Sequence, residues 1–294
     1  MIDLRLDAQT PVLIHGLARP HGRRHLEHMR AYGTNIVAGV AYRADVEAPD
    51  DLPMFRSCAE AVAATQAEAC ISFGRPETVI DAVLDAAESR IRLIVSAAKG
   101  VPVHDSLRAL RRMRDLGTVW LGSASAGLAL PSAALKLGSI PNNALIPGPF
   151  ALLTTCDALA FEVSRQMAAD ALGHSVWIGL GNDPVKGTRL AEVLPFLQQD
   201  AETQAVVLVS AVGGTDEEEM AQAVVDEKFD KPIFALIAGQ NLPNSFATTH
   251  VEALHGGLSA TAGRKRAALE AAGATVYNSI GSLLEALRDA AAKK

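Results

Sequence analysis

One imidazole, His250, stands in a stretch from Gly239 to Gly263 that shows no strong periodicity and continues through His255, Gly256 and Gly257. A long ordered loop inside a compact domain is more often functional than idle. An imidazole there can serve as a nucleophile, an acid or base, or a plain hydrogen-bonding group. Residue type alone favours the last of these.

Three glycine-rich stretches each follow a short apolar run and precede a helical one. Gly16-Leu-Ala-Arg-Pro-His-Gly22 has the form G-x5-G, with Ala18 and Arg19 inside it. Glycines there let backbone approach a phosphate, and a helix N-terminus favours an anion; an ordinary strand-to-helix turn fits equally well. Gly179-Leu-Gly-Asn-Asp-Pro-Val-Lys-Gly187 holds Gly181 and Asp183, and Ser210-Ala-Val-Gly-Gly214 holds Gly213 and Gly214. Either is readable as a tight turn, but two at one sheet edge suggest an anion site. The acids Asp216 to Glu219 read mainly as a capping and dipole device for the next helix.

Arg19, Arg23, Arg24 and Arg43 add cationic character near the first loop. Arginine holds phosphate through paired hydrogen bonds, or simply covers a solvated surface. Cys58, Cys70 and Cys156 form no CxxC pair, so buried thiols in a reducing compartment are expected. His25 and His28 read as a solvated helix face, and no metal site is expected.

The elements that must position these residues alternate. Strands near Pro11–His15, Asn35–Val40, Ala69–Phe73, Leu93–Ala97 and Thr118–Leu121 are separated by helical stretches, which implies right-handed crossovers and a parallel sheet. The stretch from Gly122 to Pro149 is rich in Ser, Pro, Gly and Asn and reads as a connection. Alternation resumes from Phe150. The fold class is therefore α/β, with two doubly wound parallel-sheet domains over residues 1–122 and 150–294, joined by 123–149. Ligands in such sheets sit beyond the carboxyl ends of strands. That directs attention to the loops beginning at Gly16, Val40, Ser96, Gly122, Thr154, Gly179, Ser210 and Ala238, and to Lys99, Cys156 and Asp157 within them.

The formal charge of -6 argues against a nucleic-acid or membrane-surface partner. No apolar run approaches the ~20 residues a membrane span needs, and the N-terminus lacks a signal-type stretch. A cytoplasmic location is expected.

Several stretches together resemble the α subunit of succinyl-CoA ligase and its ADP- or GDP-forming acyl-CoA ligase relatives. They are Ala31-Tyr-Gly-Thr34, Val37-Ala-Gly-Val40, Glu60-Ala-Val-Ala-Ala-Thr65, Gly179-Leu-Gly-Asn-Asp-Pro184, Gly213-Gly-Thr-Asp-Glu-Glu-Glu219, Ile237-Ala-Gly239 and Ala267-Ala-Leu-Glu-Ala-Ala-Gly273. The resemblance runs from about Pro11 to about Leu287. It implies a Rossmann-like CoA-binding domain followed by a flavodoxin-like ligase domain. It places CoA at Gly16, Ala18, Arg19, Gly22, Val40, Arg43, Ser96 and Lys99. It makes His250 a phosphohistidine, with a phosphate-facing set at Cys156, Asp157, Gly181, Asp183, Gly213 and Gly214. It further implies a small carboxylic acid substrate, an ATP-grasp β subunit supplying ATP or GTP with Mg, and a hetero-oligomer.

The chain departs from the family at these loops. Ala18 and Arg19 replace Thr and Gly, Ala44 replaces a lysine, and Ala98-Lys99-Gly100 replaces T-E-G. Cys156-Asp157-Ala158 replaces S-G-T, Ala211 replaces the glutamate that pairs with the active histidine, and Glu252 lies beside His250. Carboxylates at Asp157 and Glu252 would repel a phosphohistidine. The alternative is a non-phosphorylating paralogue, a CoA-binding or regulatory subunit or part of a different CoA or carbamoyl-transfer complex. A dinucleotide oxidoreductase is disfavoured by the lack of G-x-G-x-x-G.

Overall fold

The computed structural model describes residues 2–42, 49, 51–240 and 261–292. Arg43 and His250 lie outside the described residues, as do Ala44 and Glu252.

The first half forms a six-stranded parallel sheet. Its strands are β1 (Val12–His15), β2 (Ile36–Val40), β3 (Met54–Phe55), β4 (Ala69–Ser72), β5 (Leu93–Ser96) and β6 (Val119–Leu121), in the order β3-β2-β1-β4-β5-β6. The connecting helices are α1 (Pro20–Tyr32), α2 (Cys58–Thr65), α3 (Val79–Glu88) and α4 (Val103–Leu116). Strands β1, β4 and β5 are buried at every residue, as strands covered on both faces must be. On α4 the inward positions Ser106, Ala109 and Met113 recur at helical spacing, and Gly117 ends the helix in the left-handed region at φ 70°. The strand order reverses between β1 and β4, the crevice where such sheets bind ligands.

The second sheet has the order β13-β12-β11-β9-β10-β7-β8. Its parallel part is β9 (Pro147–Thr154), β10 (His174–Gly179), β11 (Ala205–Ala211), β12 (Ile233–Ala238) and β13 (Thr275–Tyr277). The helices are α5 (Asp157–Ala169), α6 (Leu190–Gln199), α7 (Asp216–Asp226), α8 (Ala262–Ala271) and α9 (Ile280–Ala292). Both sheets match the expected doubly wound class.

The stretch expected to be irregular carries a hairpin, β7 (Gly127–Leu130) and β8 (Leu135–Gly138), and β7 pairs antiparallel with β10. Its glycines had suggested a loop. Gly127 and Gly138 are instead opposite each other across the hairpin, at φ 121° and 141°, and a Cβ on either would overlap the other strand's backbone. They mark close backbone approach within a strand pair.

The hairpin welds the halves. One apolar cluster runs from Leu4, Val12 and Ile14 through Leu128, Leu135 and Leu137 to Leu153, Ile178 and Leu208. Each such side chain contributes about 1.5–3 kcal/mol on burial. Lys136 crosses this region. Its ammonium donates to the Ile140 carbonyl at 2.8 Å and to Asn142 Oδ1 at 2.5 Å, and burial pulls its pKa down to about 8. The outer faces have their own cores, under α2 to α4 in the first half and under α5 and α9 in the second.

Candidate functional site

At the first sheet's switch point, Gly16 (φ 95°) sits against the Phe73 backbone, and a Cβ at Gly22 would overlap the Gly16 carbonyl. The two glycines let the chain turn tightly into α1. Ala18 and Arg19 are exposed between them. The helix opens with Pro20, and Arg19 at its N-cap position makes no side-chain cap. Arg23 Nε donates to the Leu17 carbonyl at 3.0 Å, which ties the helix start to the loop. His25 is no solvated residue: it stacks on Phe73 at 4.8 Å, and burial, then His21 and Lys136, pull its pKa to about 4.

The remaining first-half candidates divide. Lys99 is exposed at the end of the loop after β5. Val40 is in the core under α2 to α4. Ser96 is buried, and its hydroxyl accepts from Trp120 Nε1 at 2.9 Å. The Ser96 hydroxyl thus faces Trp120 inside the fold. Cys58 and Cys70 are buried, while Cys156 is half-exposed. A hydrogen bond with Cys70, then burial, raises the Cys58 thiol well above its usual range despite His15 Nε2 at 3.2 Å, which makes it a poor nucleophile.

In the second sheet, β9 and β11 are neighbours, so Cys156 and Asp157 at the start of α5 stand beside the turn at Gly213 (φ 101°) and Gly214 (φ 64°). The Thr155 N–H donates to the Val209 carbonyl at 3.2 Å and joins the two strand ends. Gly181 and Asp183 turn away from this pair. A Cβ at Gly181 (φ 80°) would overlap the Ser123 carbonyl. The Gly187 N–H donates to the Gly122 carbonyl at 2.6 Å, and Ser125 Oγ donates to the Gly179 carbonyl at 2.5 Å. Asp183 is buried and accepts from the Gly100 and Val101 N–H groups, both at 3.1 Å. This glycine loop lies flat on the first half, so Gly181 and Asp183 hold protein backbone in the structure.

The acids at the start of α7 do more than cap it. Thr215 makes no side-chain cap. Asp216 is buried against Lys186 and receives Arg189 Nε at 2.8 Å and Nη2 at 2.5 Å. Burial pushes its carboxyl upward, but Lys186 and Arg189 outweigh that and hold it below the ordinary range. Glu217 is buried against Lys265 and accepts from Thr155 Oγ1 at 3.3 Å. Lys265 was not a candidate from sequence. Its position in a buried stripe, Ala262, Lys265, Leu269, was the available signal. Among the described residues no group of three or more His, Cys, Asp or Glu side chains could hold a metal. No helix among them is long and apolar enough to cross a membrane.

Comparison with known proteins follows the same division. The family "CoA binding domain" matches residues 7–100, and "Succinyl-CoA ligase like flavodoxin domain" matches 147–289. The chain is 30% identical to the malate–CoA ligase subunit alpha of Methylorubrum extorquens, over 99% of each chain. It is 34% identical to an ADP-forming succinate–CoA ligase subunit alpha of Archaeoglobus fulgidus, over 92% of this chain and 93% of that one. An ADP-forming sulfoacetate-CoA ligase subunit from Acholeplasma sp is 32% identical, over 96% and 97%. Among solved structures, ATP citrate lyase of Methanosaeta concilii superposes with a TM-score of 0.82 at 22% identity. That match covers 96% of this chain and 50% of the lyase, so the chain spans half of that protein and shares its fold.

Proposed function

We infer that this chain, which belongs to the family of succinate–CoA ligase α subunits, is the α-type subunit of a nucleotide-dependent acid–CoA ligase. The observation that carries this is the relationship, over 92% or more of its length, to three ligase subunits that differ in their acid. CoA sits at the first loop, among Gly16, Ala18, Arg19, Gly22 and Arg43, with Lys99 at the neighbouring strand end. A partner of the ATP-grasp type supplies the phosphoryl group from ATP or GTP with Mg. His250 carries that group, because a neutral imidazole nitrogen is nucleophilic near neutral pH and its phosphoramidate transfers readily. A carboxylate oxygen of the acid attacks phosphorus as the P–N bond breaks. The CoA sulfur then attacks the acyl carbon, and inorganic phosphate leaves with the electron pair. Cys156, Asp157, Gly213 and Gly214 border the phosphate. The complex is cytoplasmic.

The second reading, a CoA-binding paralogue without phosphoryl transfer, is favoured by one pair of positions. Asp157 opens α5 and Ala211 ends β11 at the neighbouring strand ends, so a carboxylate has been gained and another lost where the phosphate would rest.

The test is reconstitution with the ATP-grasp chain that co-purifies from the native source. The ligase reading expects acid- and CoA-dependent ADP or GDP formation, with malate, succinate and sulfoacetate as first acids. CoA binding without nucleotide turnover across a panel of small acids would select the second reading.

A further inference from the structure

The Asp183 carboxylate belongs to the second half of the chain, yet both its oxygens are spent on the first. Oδ1 accepts from the Gly100 N–H and Oδ2 from the Val101 N–H, each at 3.1 Å, and the residue is 7% exposed. Gly100 and Val101 are the turn between β5 and α4 and follow Lys99 directly. The contact is seated in a wider join. The Ala124 N–H donates to the Ala98 carbonyl at 2.8 Å, and the Ser125 N–H to the Ser96 carbonyl at 3.1 Å. The loop Ser96–Gly100 is thus held at its start and middle by the connecting stretch and at its end by Asp183 of the second half.

We infer that Asp183 is a positioning residue for CoA, fixing from the ligase half the loop that carries Lys99 in the CoA-binding half. This rests on the CoA-binding part of the reading above. A carboxylate that receives two N–H donors through two different oxygens defines a backbone orientation, since neither oxygen is free to rotate to another partner. An amide cannot reproduce it: one oxygen becomes an NH2 facing an N–H donor. The buried turn would then lose a charge-assisted hydrogen bond, and the loop bearing Lys99 would no longer be pre-formed for its ligand. The same contact couples the halves, because ordering the Lys99 loop orders the glycine loop Gly179–Gly187 that holds it.

The test is calorimetric titration of CoA into the purified full chain. Asp183→Asn should weaken CoA binding about tenfold or more. The core variant Leu287→Ala, in α9 on the far face, should lower the melting temperature and leave CoA affinity within about twofold. Backbone hydrogen exchange at Gly100 and Val101 should accelerate in Asp183→Asn without CoA. Equal CoA affinity in Asp183→Asn and wild type would overturn the inference while leaving the CoA reading intact. Absence of CoA binding by the wild type would overturn that reading and the inference with it. If the Asp183 variant does not fold, the wild type decides: CoA should slow exchange both at Gly100–Val101 and across Leu180–Asp183, and unchanged exchange in the second segment would overturn the coupling.

Discussion

Lys265→Met is expected to cost about 3–5 kcal/mol of folding stability, the largest single effect outside the chemistry itself. The Lys265 side chain is 0% exposed and its partner Glu217 2%. Removing the ammonium leaves the Glu217 carboxylate buried with Thr155 Oγ1 at 3.3 Å as its remaining donor among the described residues. Glu218 Oε2 stands 3.8 Å from the same ammonium, and burial already raises its carboxyl above the usual range. A second carboxyl would therefore lose a compensating cation. Such a loss is a large share of the 5–15 kcal/mol that holds most domains folded. In a chain of this size it corresponds to a fall in melting temperature of roughly 10 °C. The double variant Lys265→Met with Glu217→Leu should recover most of it, because replacing both partners by apolar groups removes the unpaired charge. Thermal unfolding of the four members of this cycle reads the result. A single variant as stable as the wild type would contradict the pairing.

The second large effect is on acid stability. The His174 ring is buried throughout, and its nitrogens find no full hydrogen bond among the described residues. Burial drops its pKa to about 4, with a backbone approach from Phe150 offsetting part of the shift. The unfolded chain takes up this proton near pH 6.5, and the folded chain resists until about pH 4. The contribution is complete above 6.5 and is lost as pH falls through that window, to a total of about 3 kcal/mol. His174→Leu should flatten stability between pH 6.5 and 4, measured by urea midpoints at intervals. The parallel loss from half-buried His25 remains in that variant. Identical slopes in variant and wild type would show that His174 is not the group responsible.

Much of the fold was readable because parallel strands announce themselves. Ala69–Ser72 and Leu93–Ser96 are short apolar runs bounded by helices, Val12–His15 is another that leads into one, and tertiary contacts only confirm what that pattern demands. The hairpin at Gly127–Gly138 was not readable. Its glycines serve two backbones pressed together, and in sequence such residues look like turns. The two-residue strand Met54–Phe55 is too short to carry any period.

The site was legible to a lesser degree, for a related reason. A glycine loop after a strand signals close approach, but the sequence does not name what approaches. At Gly16 and Gly22 the loop is turned into a helix start at the switch point. At Gly181 it is pressed against Ser123, and Asp183 meets amides of the other half. The acids of α7 were equally ambiguous. Four in a row at a helix start satisfy the helix dipole, and their partner cations come from Lys186, Arg189 and Lys265, as many as 48 residues away in sequence.

Phosphoryl transfer through His250 is the step that separates an acid–CoA ligase subunit from a CoA-binding paralogue. Incubation of the chain with its ATP-grasp partner and γ-labelled nucleotide, followed by peptide mapping, should give acid-labile, base-stable label on the peptide holding His250. The label should be discharged by acid substrate and CoA and absent from His250→Gln. Label retained in His250→Gln, or undiminished turnover without any labelled intermediate, would contradict it.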